Sequence, residues 1–384
     1  MTTREDAVAL DDADPLGHWR DEFLIADPGV VYLDGNSLGM PPRRTLARLH
    51  QVVVEEWAAG LIGSWKHWVD LPQRVGDCLA PLIGAQPGEV VVHDSTTVNI
   101  FQLVHVALAM RPLRRVIAVA PGEFPTDRYI VQGVAEATGC TVREGFDRLD
   151  DVAVMLRSVV DYRTAEVVNV AAETARANSA GSLAVWDLSH AVGVLPVDLG
   201  GWGVQLAVGC SYKFLNGGPG APGWSYVATE LQPTMSQPIW GWFAQADQFS
   251  MSPHFQPRSD IGRLLIGTPS ILALVAAQEG IALTAEAGVG AIAAKSTALT
   301  SFAIEVCDHL GLECGSPRDQ ARRGGHIAIR HPRARDLVPA MAQRKVIADF
   351  REPDVIRIGC SPLTTRFTDV WDGVALIAEL AGTA

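Results

Sequence analysis

Between residues 90 and 215, short apolar runs alternate with longer stretches in which apolar residues recur at helical spacing: EVVVHDS, RVIAVAPGEF, VAVMLRSVVDY, SLAVWDLSH and VQLAVGCSY mark the runs. Apolar runs of this length, rich in β-branched residues and separated by helical patterns, predict a mostly parallel sheet with crossover helices, an α/β fold. Polar residues cluster just after each run. In open α/β sheets that edge, beyond the carboxyl ends of the strands, is where ligands bind. After Thr268 the texture changes. PSILALVAAQEGIALTAEAG and GAIAAKSTALTSFAIEVCDHLGL predict two long helices, followed by HIAIRH, a further helix and the strand-like VIADF and VIRIGCS, together a smaller α+β unit. The first 45 or so residues hold too little regular pattern to stand alone; they are expected to pack on that unit or reach a partner subunit. The expected division is a large α/β domain over 46–268 and a small α+β domain from 1–45 plus 269–384.

Size and charge narrow the function classes. A chain of 384 residues exceeds what one hydrophobic core usually serves, and 48% hydrophobic with 19% charged residues is the balance of a folded, enzyme-sized body. A net charge of −12, with no basic run interleaved with aromatics, argues against nucleic acid and anionic membranes as partners. The acidic start MTTREDAVALDDADPLGHW carries no apolar leader and no stretch approaches about 20 uninterrupted apolar residues, so a cytoplasmic protein is expected. Six cysteines show neither a CxxC pair nor a zinc-ligand rhythm, which suits buried thiols in a reducing compartment.

Only four of the 31 basic residues are lysines, and one of them, Lys213, lies in GCSYKFLNGGPGAPG, between a strand-like run and a segment so rich in glycine and proline that neither helix nor strand is expected to follow. A desolvated lysine at a strand end can serve as a Schiff-base amine. It can also be an ordinary strand-end lysine. In WDLSHAVG, Asp187 and His190 are expected to project from the carboxyl edge of a predicted central strand. A buried carboxylate there needs a cationic partner, such as the protonated nitrogen of a pyridine ring. The alternatives are a helix cap with a core histidine, or metal ligation, for which no third ligand lies nearby and no metal is expected. Ser95, Thr96 and Thr97 precede a helical pattern, where free N–H groups can hold a phosphate or simply be capped. Phe124 and Asp127, after the run VIAVA, offer an aromatic face and a carboxylate. Lysine, acid, hydroxyl-rich helix start and aromatic plate at one sheet edge together suit pyridoxal 5′-phosphate.

These segments resemble the kynureninases, within the fold-type I pyridoxal-phosphate enzymes. The likeness runs along YLDGNSLG (32–39), DSTTVNIF (94–101), FPTD (124–127), VDYRT (160–164), WDLSHAVGVLPVDL (186–199), YKFLNGGPGAPG (212–223), GWF (241–243), GTPSIL (267–272) and PDVIRIGCSPL (353–363). The resemblance implies Lys213 as the attachment point of the cofactor and Tyr212 as a phosphate contact that also donates and accepts protons. It implies Thr96, Thr97, Phe124, Asp127, Asp187 and His190 as cofactor contacts, with Trp242 and Thr268 coming from the neighbouring subunit of a homodimer. Arg357 would bind the substrate α-carboxylate, and Asn36, Ser37 and Trp65 complete the implied substrate-binding set. The implied reaction is hydrolysis of L-kynurenine to anthranilate and L-alanine by Cβ–Cγ cleavage, on L-kynurenine itself, 3-hydroxykynurenine or a ring-substituted analogue. Another reaction on the same scaffold (transamination, β-elimination, desulfuration) and a non-catalytic binding relative are the competing readings; desulfuration lacks a cysteine in a recognisable mobile loop. The chain departs from the family pattern at Ala244 and Gln245 (usually Gly-His), at Thr364 and Thr365 (usually Tyr-Asn), at Ala165 (usually Gly) and in the short SWKHWVD segment.

Overall fold

A computed structural model describes residues 2–382. Its larger sheet has seven strands in the spatial order Val90–Val92, Gly223–Val227, Leu206–Cys210, Leu183–Asp187, Val152–Ser158, Val116–Val119, Thr141–Glu144. Five consecutive strands from Leu206–Cys210 outward are parallel, Gly223–Val227 runs against them, and Val90–Val92 pairs antiparallel to it, so six strands point the same way. All five predicted strands are present. Thr141–Glu144 was hidden because an exposed edge strand of TVRE carries no apolar run. Gly223–Val227 contradicts the expectation that no strand follows NGGPGAPG: it starts on the last glycine of that segment and is buried throughout. Trp224 and Tyr226 on one face and Val227 on the other favour a strand and bury in the cores on the two sides of the sheet, so GWSYV pairs despite the glycine-rich segment before it.

The crossover helices include Thr96–Met110, Pro125–Thr138 and Val170–Ser179. Helix Thr96–Met110 buries Asn99 and Gln102 along with Ile100, Leu103 and Val104, so it is enclosed more completely than its sequence pattern suggests. Asn99 is accommodated because its Nδ2 donates to the His93 carbonyl at 3.1 Å, and Gln102 because its Nε2 donates to the Leu264 carbonyl at 2.8 Å.

A four-stranded antiparallel sheet holds Asp349–Arg351, Val355–Gly359, His326–Arg330 and Glu313–Cys314 in that order. Helices Val289–His309, Ala334–Gln343 and Phe367–Ala381 form a core with it through Phe302, Val306, Leu337, Met341, Val370 and Val374. Val289–His309 is long and apolar enough to cross a membrane by length and composition, yet half of its apolar stretch is buried in the fold.

The amino-terminal segment is more regular than its sequence suggests. Helix Arg4–Asp12 opens on a capping box between Thr3 and Asp6 and lies against Phe367–Ala381. The Asp11 carboxylate accepts from Phe367 N (2.6 Å), Thr368 N (3.1 Å) and Thr368 Oγ1 (2.7 Å), satisfying the free N–H groups that open that helix. Val31–Tyr32 pairs in parallel with Val346–Ile347. Asp14 meets Lys295 of Val289–His309 in a buried ion pair at 2.5 Å. Helix Ile271–Ala287 bridges the two bodies: Leu274, Val275 and Ile281 join the core of the large sheet, while Leu283 and Ala287 pack with Leu16, Phe23 and Ile292.

Candidate active site

The carboxyl ends of the large sheet gather the predicted cofactor residues. Asp187 is the last residue of its strand and His190 follows in the next turn. Lys213 follows strand Leu206–Cys210, Phe124 caps helix Pro125–Thr138 after strand Val116–Val119, and Thr96 and Thr97 open helix Thr96–Met110. Thr96, Thr97, Phe124, Asp127, Asp187, His190, Tyr212 and Lys213 line one small cavity of about 100 Å³, joined by Ser158 and Tyr162. A larger cavity of about 650 Å³ shares Thr96, Thr97 and Tyr212 and is completed by residues including Thr268 of the same chain.

Lys213 Nζ lies 3.2 Å from His190 Nε2. Burial, reinforced by the Lys213 charge, holds the His190 imidazole well below its ordinary pKa, so the ring is neutral and can accept from the ammonium. Three carboxyls stand close by. Asp187 Oδ1 accepts from Ser189 N at 2.7 Å. Asp127 is 2% exposed, its Oδ2 has no hydrogen-bond partner, and burial followed by the Asp187 charge pushes its carboxyl well above the usual range. Burial likewise raises Asp187. Glu123 carries no sequence signal of its own, and neither do Ser158, His326 and Asp349. The Glu123 carboxylate accepts from Phe124 N (2.9 Å), Ser158 N (2.7 Å) and Ser158 Oγ (2.5 Å), tying the aromatic plate to the strand beside Asp187. The Phe124 ring is also steadied edge-on by Tyr162, centroids 5.2 Å apart. No pattern marked Glu123 as buried, because it reads as one more acid in a polar loop.

This cluster fits pyridoxal phosphate. Two buried acids side by side, Asp187 and Asp127, make an ionised Asp187 costly unless a cationic N–H donor faces it, which a protonated pyridine ring provides. The threonines stand at the positive end of a 15-residue helix, where phosphate is favoured. Ser95 is its cap, accepting from Val98 N at 3.4 Å, and Thr96 Oγ1 donates to the Gly209 carbonyl at 3.4 Å.

The second half of the site lies on the small sheet. Arg357 is 1% exposed on strand Val355–Gly359. Its Nε donates to Asp349 Oδ1 at 2.7 Å and its Nη2 to Asp349 Oδ2, its Nη1 to the Tyr162 carbonyl at 2.7 Å, and its Nη2 to Ser37 Oγ at 2.9 Å. Between the two halves sits His326, fully buried, its ring 5.8 Å from that of His190 and held neutral by burial and the Arg357 charge.

The YLDGNSLG segment straps the halves together. Asn36 and Ser37 touch Arg357, the Asn36 carboxamide oxygen accepting from Nε (3.3 Å) and Nη2 (3.1 Å) in the orientation that satisfies it. Two residues on, Gly39 N donates to the Tyr212 carbonyl at 2.9 Å. A Cβ at Gly39 would sit 2.3 Å from the Lys213 carbonyl oxygen, and one at Gly359 would sit 1.7 Å from the end of the Asn36 carboxamide. Glycine is therefore needed at both points of close approach.

Trp65 and Trp242 lie apart from both cavities and are joined by Phe243, whose ring is 6.2 Å from Trp65 and 4.6 Å from Trp242. Trp242 is 39% exposed. The departures from the family pattern are built into the local structure. Gln245 Oε1 accepts from Gln256 N at 2.6 Å, Thr365 Oγ1 accepts from Ser361 N at 3.0 Å, and Ala165 adopts φ +64, the left-handed conformation natural to the usual glycine.

The architecture is that of a cysteine desulfurase from Thermococcus onnurineus (TM-score 0.81, 17% identity, covering 100% of this chain and 99% of that one) and one from Escherichia coli (TM-score 0.79, 18% identity, 95% and 99%). The fold and the lysine-centred site define the class: a fold-type I pyridoxal-phosphate enzyme. Within that class, residues 292–377 match the model of the kynureninase C-terminal domain. The whole chain is 41% identical over 401 residues to the kynureninase of Pseudomonas fluorescens (99% of this chain, 96% of that one) and 40% identical over 402 residues to that of Burkholderia pseudomallei (100% and 96%). The chain belongs to the kynureninase family.

Proposed function

We propose that the protein hydrolyses L-kynurenine, 3-hydroxykynurenine or a ring-substituted kynurenine to the corresponding anthranilate and L-alanine, with pyridoxal phosphate held at Lys213. The observation that carries this reading is the pairing of full-length kynureninase identity with a lysine, a buried acid pair and a buried arginine joined by one strap. Asp187 would accept a hydrogen bond from the ring nitrogen, Thr96 and Thr97 would hold the phosphate, and Phe124 would cover the ring face. When bound, the cofactor supplies an electron sink next to the substrate's α-carbon. Lys213 Nζ, once free, removes the α-proton, with neutral His190 at 3.2 Å as its hydrogen-bond acceptor. Burial pushes the Tyr212 phenol far up, so it keeps its proton to deliver to the β-carbon released when water adds to the γ-carbonyl and the Cβ–Cγ bond breaks, the acyl half leaving as the anthranilate carboxylate. Arg357, with Asn36 and Ser37, receives the α-carboxylate. Trp65, which lies outside both cavities of its own chain, is kept in the proposed substrate-binding set on the family resemblance.

The working form is proposed to be a cytoplasmic homodimer, with Trp242 contributed across the interface; Thr268, which the resemblance also assigns to the neighbouring subunit, lines the larger cavity of its own chain and would reach the partner's site from that cavity's rim. Exposed Val54, Trp57, Leu61, Ile62 and Trp240 supply apolar surface of the kind a stable dimer buries. The large domain is assigned to 46–268 and the small one to 1–45 plus 269–384, with helix Ile271–Ala287 as the bridge between them. The test is an absorbance spectrum of the purified protein, followed in one cuvette by kynurenine and then 3-hydroxykynurenine, with product fluorescence and alanine assayed. A visible band lost in Lys213→Ala, with product from one substrate, supports the reading. A band with amino transfer to a keto acid and no Cβ–Cγ cleavage overturns the substrate assignment.

A further inference from the structure

Arg357 is more fully engaged than a carboxylate receptor needs to be. Four of the five N–H bonds of its guanidinium have partners: Nε with Asp349 Oδ1, Nη2 with Asp349 Oδ2 and Ser37 Oγ, and Nη1 with the Tyr162 carbonyl. Asp349 and Arg357 are directly opposed residues on neighbouring antiparallel strands, so the sheet register itself sets this fork-to-fork pair. Asp349 is in turn held from the other side, Oδ2 accepting from Arg351 Nη2 at 2.7 Å and from Ser37 Oγ at 2.9 Å. A carboxylate fixed by its own strand and by three side chains cannot swing aside as a substrate arrives. It occupies the Nε edge of the guanidinium and leaves the Nη1–Nη2 end, where the partners are Ser37 Oγ, the Asn36 carboxamide oxygen and the Tyr162 carbonyl.

We propose that Asp349 is a positioning residue for substrate recognition: it clamps the Nε edge of Arg357 so that the Nη1–Nη2 end, with Ser37 yielding or sharing its contact, meets the α-carboxylate end-on. This rests on Arg357 as the carboxylate site proposed above. Arg351 contributes by keeping Asp349 in place.

The test uses the cofactor-loaded protein and two small probes, L-alanine and L-alaninamide, which differ only in the carboxylate. Binding is read from the change each makes in the visible band. Wild type is expected to prefer L-alanine. In Asp349→Asn the affinity for L-alanine falls about tenfold or more, the size of losing an aligned charged hydrogen bond, while that for L-alaninamide changes less than twofold. Asp349→Glu keeps the charge but displaces the fork by one methylene, so it too loses the preference; it serves where Asp349→Asn fails to fold or to hold cofactor. Tighter L-alanine binding in Asp349→Asn, the result expected of a competing internal carboxylate, overturns the proposal. So does an unchanged preference in Asp349→Glu, or an equal loss for both probes. A wild type that binds L-alanine selectively yet cleaves no kynurenine refutes the substrate reading and leaves this one standing.

Discussion

Asp34 offers a direct measurement of the electrostatics built into the strap. Its carboxyl is largely buried, Oδ1 has no hydrogen-bond partner, and burial together with the neighbouring Asp349 charge pushes it up to about 6 from an ordinary 3.8, against the opposing pull of Ser37, Arg357 and Arg351. Because the folded value lies above the unfolded one, the protonated form is the one the fold prefers. The associated stability is fully present below about pH 4 and is lost as pH rises through 6. A gap from 3.8 to about 6, at 1.36 kcal/mol per pH unit, corresponds to about 3 kcal/mol. Asp34→Asn removes the titration while keeping the shape. Urea unfolding of the cofactor-free protein at intervals from pH 4 to 8.5 should give wild type and variant similar stability at the acid end. Above pH 7 the variant should be more stable by about that 3 kcal/mol. Parallel curves across the range, or a variant that is less stable at pH 8, would refute the assignment of a reluctant buried charge at Asp34.

Breaking the Lys295–Asp14 pair by Lys295→Met should cost about 3–5 kcal/mol in chemical denaturation, since it strands a buried carboxylate. Replacing Asp14 with Leu in the same chain should recover most of that loss. Glu123→Gln should lower cofactor affinity by about tenfold, measured by titrating cofactor into the apoprotein, because the amide cannot serve all three donors that fix Phe124 and Ser158. Gly39→Ala should reduce turnover by about 100-fold with the fold intact by circular dichroism, because the new Cβ at 2.3 Å pushes on the Lys213 carbonyl.

The apolar runs by themselves determined five of the seven strands of the large sheet, and with them the edge on which Asp187, Lys213, Phe124 and Thr96 would gather, because a buried parallel strand must be apolar on both faces and its polar neighbours are then forced to its ends. The lysine in its glycine-rich setting and the hydroxyl run were equally legible, since their chemistry is local. Gly223–Val227 escaped notice because the glycines and prolines just before it mask a short GWSYV run, whose Trp224, Tyr226 and Val227 are buried once neighbours pair on both sides. The C-terminal helix Phe367–Ala381 went unremarked, and its start is completed by Asp11, which lies 356 residues away from Phe367 in the chain. Only the tertiary structure decided the surroundings of the site: that Glu123 turns inward to three donors, that Gly39 rests on the Lys213 backbone, and that strand register sets Asp349 opposite Arg357. A side chain's type is written in the sequence, but its charge state and free donors depend on which distant groups exclude water from it.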